Sequence, residues 1–161
     1  MGGIGVVFRC VLAGATMLLR DRFDPTETAA LLSSGGVTHG SFVARMLART
    51  LDASAPRVPT SPALVALMVG GGPTAEALLK RARLGGLPVL ATYGMTEAGS
   101  TLTLERRGGP YSPPSAGFPL PGVEVRIGDD QVVEVRSPTL MEGYDPPYDE
   151  PDAGGWLRTN D

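Results

Sequence analysis

"RLGGLPVLATYGMTEAGS", residues 83–100, is the stretch on which the fold of this sequence turns. Gly85, Gly86 and Pro88 punctuate a turn. Val89, Leu90 and Ala91 then make a short apolar run, the pattern of a buried strand over 88–92. That strand is expected to stop at Gly94 and to deliver Thr96 and Glu97 at its carboxyl end, the edge where open α/β sheets bind ligands. Taken alone, Tyr93–Glu97 also suits a plain turn whose threonine starts a helix. Five residues do not separate the two readings.

Working outward, residues 1–105 alternate helix and strand signals. "GATMLLR" (14–20) reads as a strand and "DPTETAALLSSGG" (24–36) as a helix. Asp24 caps that helix, Pro25 sits in its first turn, Glu27 completes a capping box, and Gly35 or Gly36 ends it. "VTHGSFV" (37–43) reads as a strand, 44–52 as a helix, "SAPRVPTSP" (54–62) as a surface loop, and "ALVALMV" (63–69) as a buried strand. After Gly70, Gly71, Gly72 and Pro73, Ala75, Leu78, Leu79 and Ala82 share one helical face over 75–83, with Glu76 four residues before Lys80. Strand, helix, strand with short connections predicts an α/β fold with a mostly parallel sheet.

Near residue 106 the pattern changes. "RRGGPYSPPSAGFPLPG" (106–122) is too rich in Gly and Pro for long regular structure. "VEVRI" (123–127) and "VVEVR" (132–136) alternate apolar and charged residues around "GDDQ", the signature of an antiparallel hairpin with one wet face. The chain is therefore divided into an α/β unit over 1–108 and a small β-rich unit over 109–161.

Composition narrows the function classes. With 161 residues, 42 % of them hydrophobic and 19 % charged, the chain has the size and make-up of a globular domain rather than a disordered segment. A net charge of −3 without a run of Lys or Arg argues against a nucleic-acid partner. One cysteine and one histidine exclude a structural zinc site, which needs about four such ligands. Cys10, flanked by Val7, Phe8, Val11 and Leu12, reads as a buried inert thiol, and a lone cysteine makes a cytoplasmic setting the default. The amino-terminal apolar stretch lacks a basic start and is broken by Arg9, so it reads as neither a signal peptide nor a membrane span.

Five motifs in order, "VGGGP" (69–73), "TYGMTE" (92–97), "GFPLPGVEVRI" (117–127), "VEVRSPTLMEGY" (133–144) and "GWLRTND" (155–161), resemble the acyl-adenylate-forming, AMP-binding enzymes. This group includes acyl-CoA synthetases and peptide-synthetase adenylation domains. Within it, "TYGMTEA" and "PLPGVEVRI" are most similar to the o-succinylbenzoate–CoA ligase branch of menaquinone biosynthesis. The resemblance implies part of the large N-terminal domain of such a ligase, which joins a small-molecule carboxylic acid to coenzyme A using ATP and Mg²⁺. The phosphate loop with its lysine is expected upstream of Met1, and the domain carrying the adenylation lysine beyond Asp161.

The resemblance also implies roles. Gly71, Gly72 and Pro73 would wall the purine, since glycine lets a ligand approach the backbone closely. Tyr93 would lie against the adenine, Gly94 would permit the turn, and Met95 would line the purine or acyl side or serve as core. Thr96 would bind a phosphate oxygen and Glu97 a Mg²⁺ ion, the two catalytic candidates, while the Asp161 carboxylate would accept from the ribose diol. The usual Thr-Gly-Asp appears here as Thr159-Asn160-Asp161, asparagine being tolerant of φ > 0. As the last residue, Asp161 is expected to fray. His39 is either a core histidine or a group flanking the acyl pocket. An unpaired sheet edge at Ala15–Leu19 or a neighbouring strand is expected to favour homo-oligomers.

Overall fold

The computed structural model describes residues 2–54, 58–109, 115–145 and 151–161. Its framework is a five-stranded sheet in the order β1 (His39–Phe42), β2 (Ala66–Val69), β3 (Val89–Met95), β4 (Ser100–Leu104), β5 (Phe118–Pro119). The first three strands are parallel and the last two antiparallel. The expected α/β architecture is present, with one addition that the sequence reading lacked. The chain reverses after Met95 through a single 3₁₀ turn, Thr96–Ala98, and returns as β4. Phe118–Pro119 lies beyond residue 108 yet forms the outer strand of this first sheet.

Helix α1 (Gly2–Ala13) precedes the sheet, followed by α2 (Pro25–Ser34), α3 (Ala44–Ala53) and α4 (Glu76–Leu84). The strand expected at 14–20 does not form. The helical run before it ends at Gly14, which adopts φ 61°, and residues 15–20 continue irregular and exposed. An apolar run reads as a strand only if a neighbour offers ladder partners, and the sheet gives it none. Helix α2 starts as expected, with the Asp24 side chain accepting from the Glu27 N–H at 2.9 Å and Gly35 closing it in the left-handed region. Glu27 does not close the capping box; its carboxylate pairs with Arg20 at 2.5 Å. Helices α3 and α4 bury Leu47, Leu51, Leu79 and Ala82 against Leu67, Val69, Val89 and Ala91 of the parallel strands. His39 belongs to β1 but is exposed, so it is not a core histidine, and Cys10 is half-buried on α1 rather than enclosed.

The expected hairpin is β6 (Glu124–Ile127) and β7 (Val133–Arg136), paired Glu124↔Arg136 through Ile127↔Val133. Strand β8 (Leu157–Arg158) adds a third antiparallel member against β7. One face of this small sheet is wet: the Trp156 ring lies between the Arg126 and Arg136 guanidiniums, 4.0 and 4.9 Å from its centroid. The other face closes a second core, in which Val135 and Leu157 meet Leu102 and Ala98, with Tyr93 and Met95 packed at its edge. The two sheets thus share apolar contacts around the hairpin of β3 and β4.

Candidate functional site

The parallel strands all point their carboxyl ends into one cleft of about 1020 Å³. Phe42 and Val43 follow from β1, Gly70–Pro73 from β2 and Tyr93–Thr96 from β3, so the sheet topology alone brings three separate loops to one rim. Of the residues expected to hold a nucleotide, Gly71, Gly72, Pro73, Tyr93, Gly94, Met95, Thr96 and Asp161 all line it. Glu97 does not. It lies one residue further along the 3₁₀ turn, with its side chain toward the second part of the chain.

The glycine wall has a backbone cause. Gly71 has φ 81° and Gly72 φ 156°, conformations L-residues rarely adopt, and a Cβ on Gly72 would meet no atom within 4 Å. The open face is therefore not filled by the protein itself. Gly94 is glycine for the opposite reason: an added Cβ would sit 1.8 Å from the Ser100 carbonyl oxygen. The ladder slips at this point, so that Tyr93 faces Thr103 and Gly94 faces Thr101. Leu102 is the extra residue of this β-bulge and is fully buried. The strand therefore continues to Met95, past its expected end at Gly94. Met95 serves in both expected capacities, lining the cleft and packing against the second core.

Asp161 is tethered three times. Its carboxylate accepts a 2.7 Å hydrogen bond from the Tyr93 hydroxyl, its N–H donates to Thr159 Oγ1 at 3.2 Å, and its carbonyl accepts from the Val133 N–H at 3.0 Å. These bonds oppose the fraying expected of a last residue. The left-handed turn allowed for at Asn160 is not used, since the non-glycine residues with positive φ among those described are Ser100 and Gln131. Burial, and then the bond to Asp161, push the Tyr93 phenol up to about 12.

Around Glu97 the second part of the chain clamps the turn. The Met141 N–H donates to the Glu97 carbonyl at 2.7 Å, and Thr139 Oγ1 donates to the Ala98 carbonyl at 2.9 Å. The Tyr144 hydroxyl donates to Glu97 Oε1. That bond first, then the backbone N–H groups of the turn, hold the Glu97 carboxyl below the usual carboxylate range, against a smaller opposing effect of burial. An ionised carboxylate is the right donor for a hard cation. No group of three or more His, Cys, Asp or Glu side chains among the described residues is placed to hold a metal. A single carboxylate fits a Mg²⁺ ion that takes its remaining ligands from phosphate and water, and does not fit a metal held by protein alone.

Two members of this site were not singled out from the sequence. Arg9 reaches the rim from α1 and, among the described residues, is the one cation lining the cleft. Its signal was visible as the charge that interrupts the amino-terminal apolar run. Tyr144 had no local signal, because its partner Glu97 is 47 residues away. Among the described residues no helix is long and apolar enough to cross a membrane.

The arrangement offers an aromatic ring, a glycine wall, a tethered carboxylate and a threonine hydroxyl along one rim, with an ionised glutamate on the turn just behind it, a set of donors and acceptors suited to a nucleotide. Similarities to known proteins agree with it. The chain is 34 % identical over its whole length to 2-succinylbenzoate–CoA ligase of Bacillus licheniformis, covering 36 % of that protein. It superposes on the o-succinylbenzoate coenzyme A synthetase of Bacillus subtilis in complex with AMP, with a TM-score of 0.86 and 29 % identity, over 99 % of this chain and 35 % of that one. The same synthetase in complex with ATP and magnesium ion gives a TM-score of 0.81 at 29 % identity, over 99 % of this chain and 36 % of that one. The chain thus spans about a third of the length of these relatives. Residues 1–145 match the family described as AMP-binding enzyme, and with the cleft at the ends of the parallel strands this establishes that the chain belongs to the AMP-binding enzyme family.

Proposed function

We propose that these residues form one wall of the nucleotide site of an ATP-dependent acid–CoA ligase, with o-succinylbenzoate as the acid. In such a reaction the carboxylate attacks the α-phosphate, pyrophosphate leaves, and the thiol of coenzyme A then displaces AMP. The observation that carries the reading is the convergence of Gly71–Pro73, Tyr93–Thr96 and Asp161, drawn from three distant segments, on a single cleft. Tyr93 supplies a ring against a purine, Asp161 an acceptor for a vicinal diol, Thr96 a hydroxyl for a phosphate oxygen. Glu97 is the proposed magnesium ligand, and the metal when bound offsets charge on the phosphates.

The substrate assignment is tested in a polypeptide of the relatives' full length that contains this chain. Pyrophosphate release with o-succinylbenzoate supports it; release only with fatty or aryl acids would assign the chain to another acyl-CoA synthetase or adenylation domain. In that polypeptide Glu97→Gln is expected to slow adenylation by about 10²-fold or more, the size of losing one electrostatic stabiliser. Unchanged kinetics across a Mg²⁺ titration would remove Glu97 from the metal site.

A second reading, a nucleotide-binding product without turnover, is favoured by the scarcity of positive charge, since Arg9 alone faces the cleft among the described residues. A triphosphate needs several donors acting together. The isolated 161-residue chain is accordingly expected to bind AMP weakly and to release no pyrophosphate. Turnover by the purified chain would exclude this second reading.

A further inference from the structure

Tyr93 and Asp161 lie 68 residues apart and meet through a single 2.7 Å bond between the phenol and Asp161 Oδ2. Both line the cleft, but they are held very differently. The Tyr93 ring is packed at the edge of the second core, on a strand bonded on both sides. Asp161 is exposed, and its two backbone tethers, to Thr159 Oγ1 and the Val133 N–H, fix its peptide but not its carboxylate. An exposed aspartate rotates among staggered wells unless its carboxylate is bonded. The bond to Tyr93 takes one lone pair of Oδ2 and leaves Oδ1 and the remaining Oδ2 lone pair as acceptors.

We propose that Tyr93 is a positioning residue for Asp161: its hydroxyl holds the carboxylate in the orientation that accepts from the vicinal diol of a ribonucleotide. This rests on the nucleotide reading above and deepens it, by assigning the distinction between ribose and its deoxy forms to the Tyr93–Asp161 pair. The reasoning is one of preorganisation. A carboxylate already held in one rotamer does not lose that freedom when the sugar binds, whereas an unheld one does. One side chain thus has two separable duties, the ring toward the base and the hydroxyl toward the sugar's partner. Removing the hydroxyl is predicted to weaken recognition of the diol while sparing recognition of the base.

The test titrates AMP and 2′,3′-dideoxy-AMP into the wild-type chain, Tyr93→Phe and Asp161→Asn by calorimetry. Alongside, the Asp161 Hα–Hβ couplings are measured by NMR without nucleotide. Wild type is expected to prefer AMP by about tenfold or more, the scale of hydrogen bonds to a charged group. Tyr93→Phe keeps the ring but not the hydroxyl, so the ratio of AMP to dideoxy-AMP affinity should fall toward one; Asp161→Asn, at an exposed site, should lose the preference too. The couplings should report one Asp161 rotamer in wild type and averaging in Tyr93→Phe. Undiminished preference in Tyr93→Phe, or averaged couplings in wild type, would overturn the proposal. A wild-type chain with a fixed Asp161 rotamer that binds both nucleotides equally overturns the diol role alone. Binding of neither nucleotide overturns the nucleotide reading for this chain, and the diol role with it.

Discussion

Tyr93 concentrates the chemistry of the site in one side chain, and its ionisation can be followed directly. Its phenol is raised from an ordinary value near 10 to about 12 by burial and by the Asp161 carboxylate, with Thr159 acting in the other direction. A raised acid favours the protonated form in the fold, so the stabilisation is fully present below about pH 10 and is lost as pH rises through about 12. In a spectrophotometric titration, the Tyr93 phenol should ionise well above the ordinary tyrosine value. Asp161→Asn should bring it down toward that ordinary value, because the second and fourth causes of the shift both reside in that carboxylate. A curve in which every tyrosine titrates together near the ordinary value would refute the Tyr93–Asp161 bond. Glu97 is the mirror case. Its role is suggested by its place in "TYGMTE", yet the phenol that holds it ionised arrives from Tyr144, which no local pattern connects to it.

At the level of the element, the hairpin of β3 and β4 decides where the site residues point. Its bulge puts Leu102 into the second core while Gly94 passes over the Ser100 carbonyl, and the two requirements are inseparable. Gly94→Ala places a methyl at 1.8 Å from backbone oxygen, which a flexible neighbour cannot relieve. We expect it to cost about 2–4 kcal/mol in urea unfolding, in the range of large single-site effects, and to disturb the adjoining Tyr93. Ser100, across the turn, sits at φ 145°, a region unfavourable for a non-glycine residue. Ser100→Gly relieves strain of order 1–3 kcal/mol but adds about 0.5–1 kcal/mol of chain entropy, so the net change should be a stabilisation of no more than about 2.5 kcal/mol. A marked destabilisation by Ser100→Gly would show that the serine side chain, not the backbone, determines the turn.

For the molecule as a whole, the two cores are joined through the hairpin, and the amino-terminal helix belongs to neither core. Leu67 lies in the first core and Leu102 in the second, both fully buried. Each Leu→Ala change should cost about 2–5 kcal/mol, with the spread set by how far the site collapses. Helix α1 turns Gly5 toward Ser100 and Arg9 toward the cleft, and leaves Ile4, Phe8, Val11 and Leu12 between 54 and 87 % exposed. The spacing of Ile4, Phe8 and Val11 is the alternation of four and three residues that lets one helix seam pack against another, and none of the stripe is charged.

Local sequence dictated the α/β class, the caps of α2, helices α3 and α4, the hairpin of β6 and β7, and the cleft members Gly71–Pro73, Tyr93–Thr96 and Asp161. Each of these is written in short-range terms: periodicity, a capping aspartate, alternation, or contiguous motifs such as "VGGGP" and "TYGMTE". Three features were decided only in three dimensions. Residues 14–20 have the composition of a strand but no ladder partner, so they remain irregular. Strand β4 exists because Leu102 finds Val135 and Leu157 in a core that the local sequence does not announce. The Asp161 carboxylate is held because a phenol 68 residues away donates to it. Pattern reading follows bonds along the chain, and these features depend on contacts between segments whose proximity the folding of the whole sheet creates.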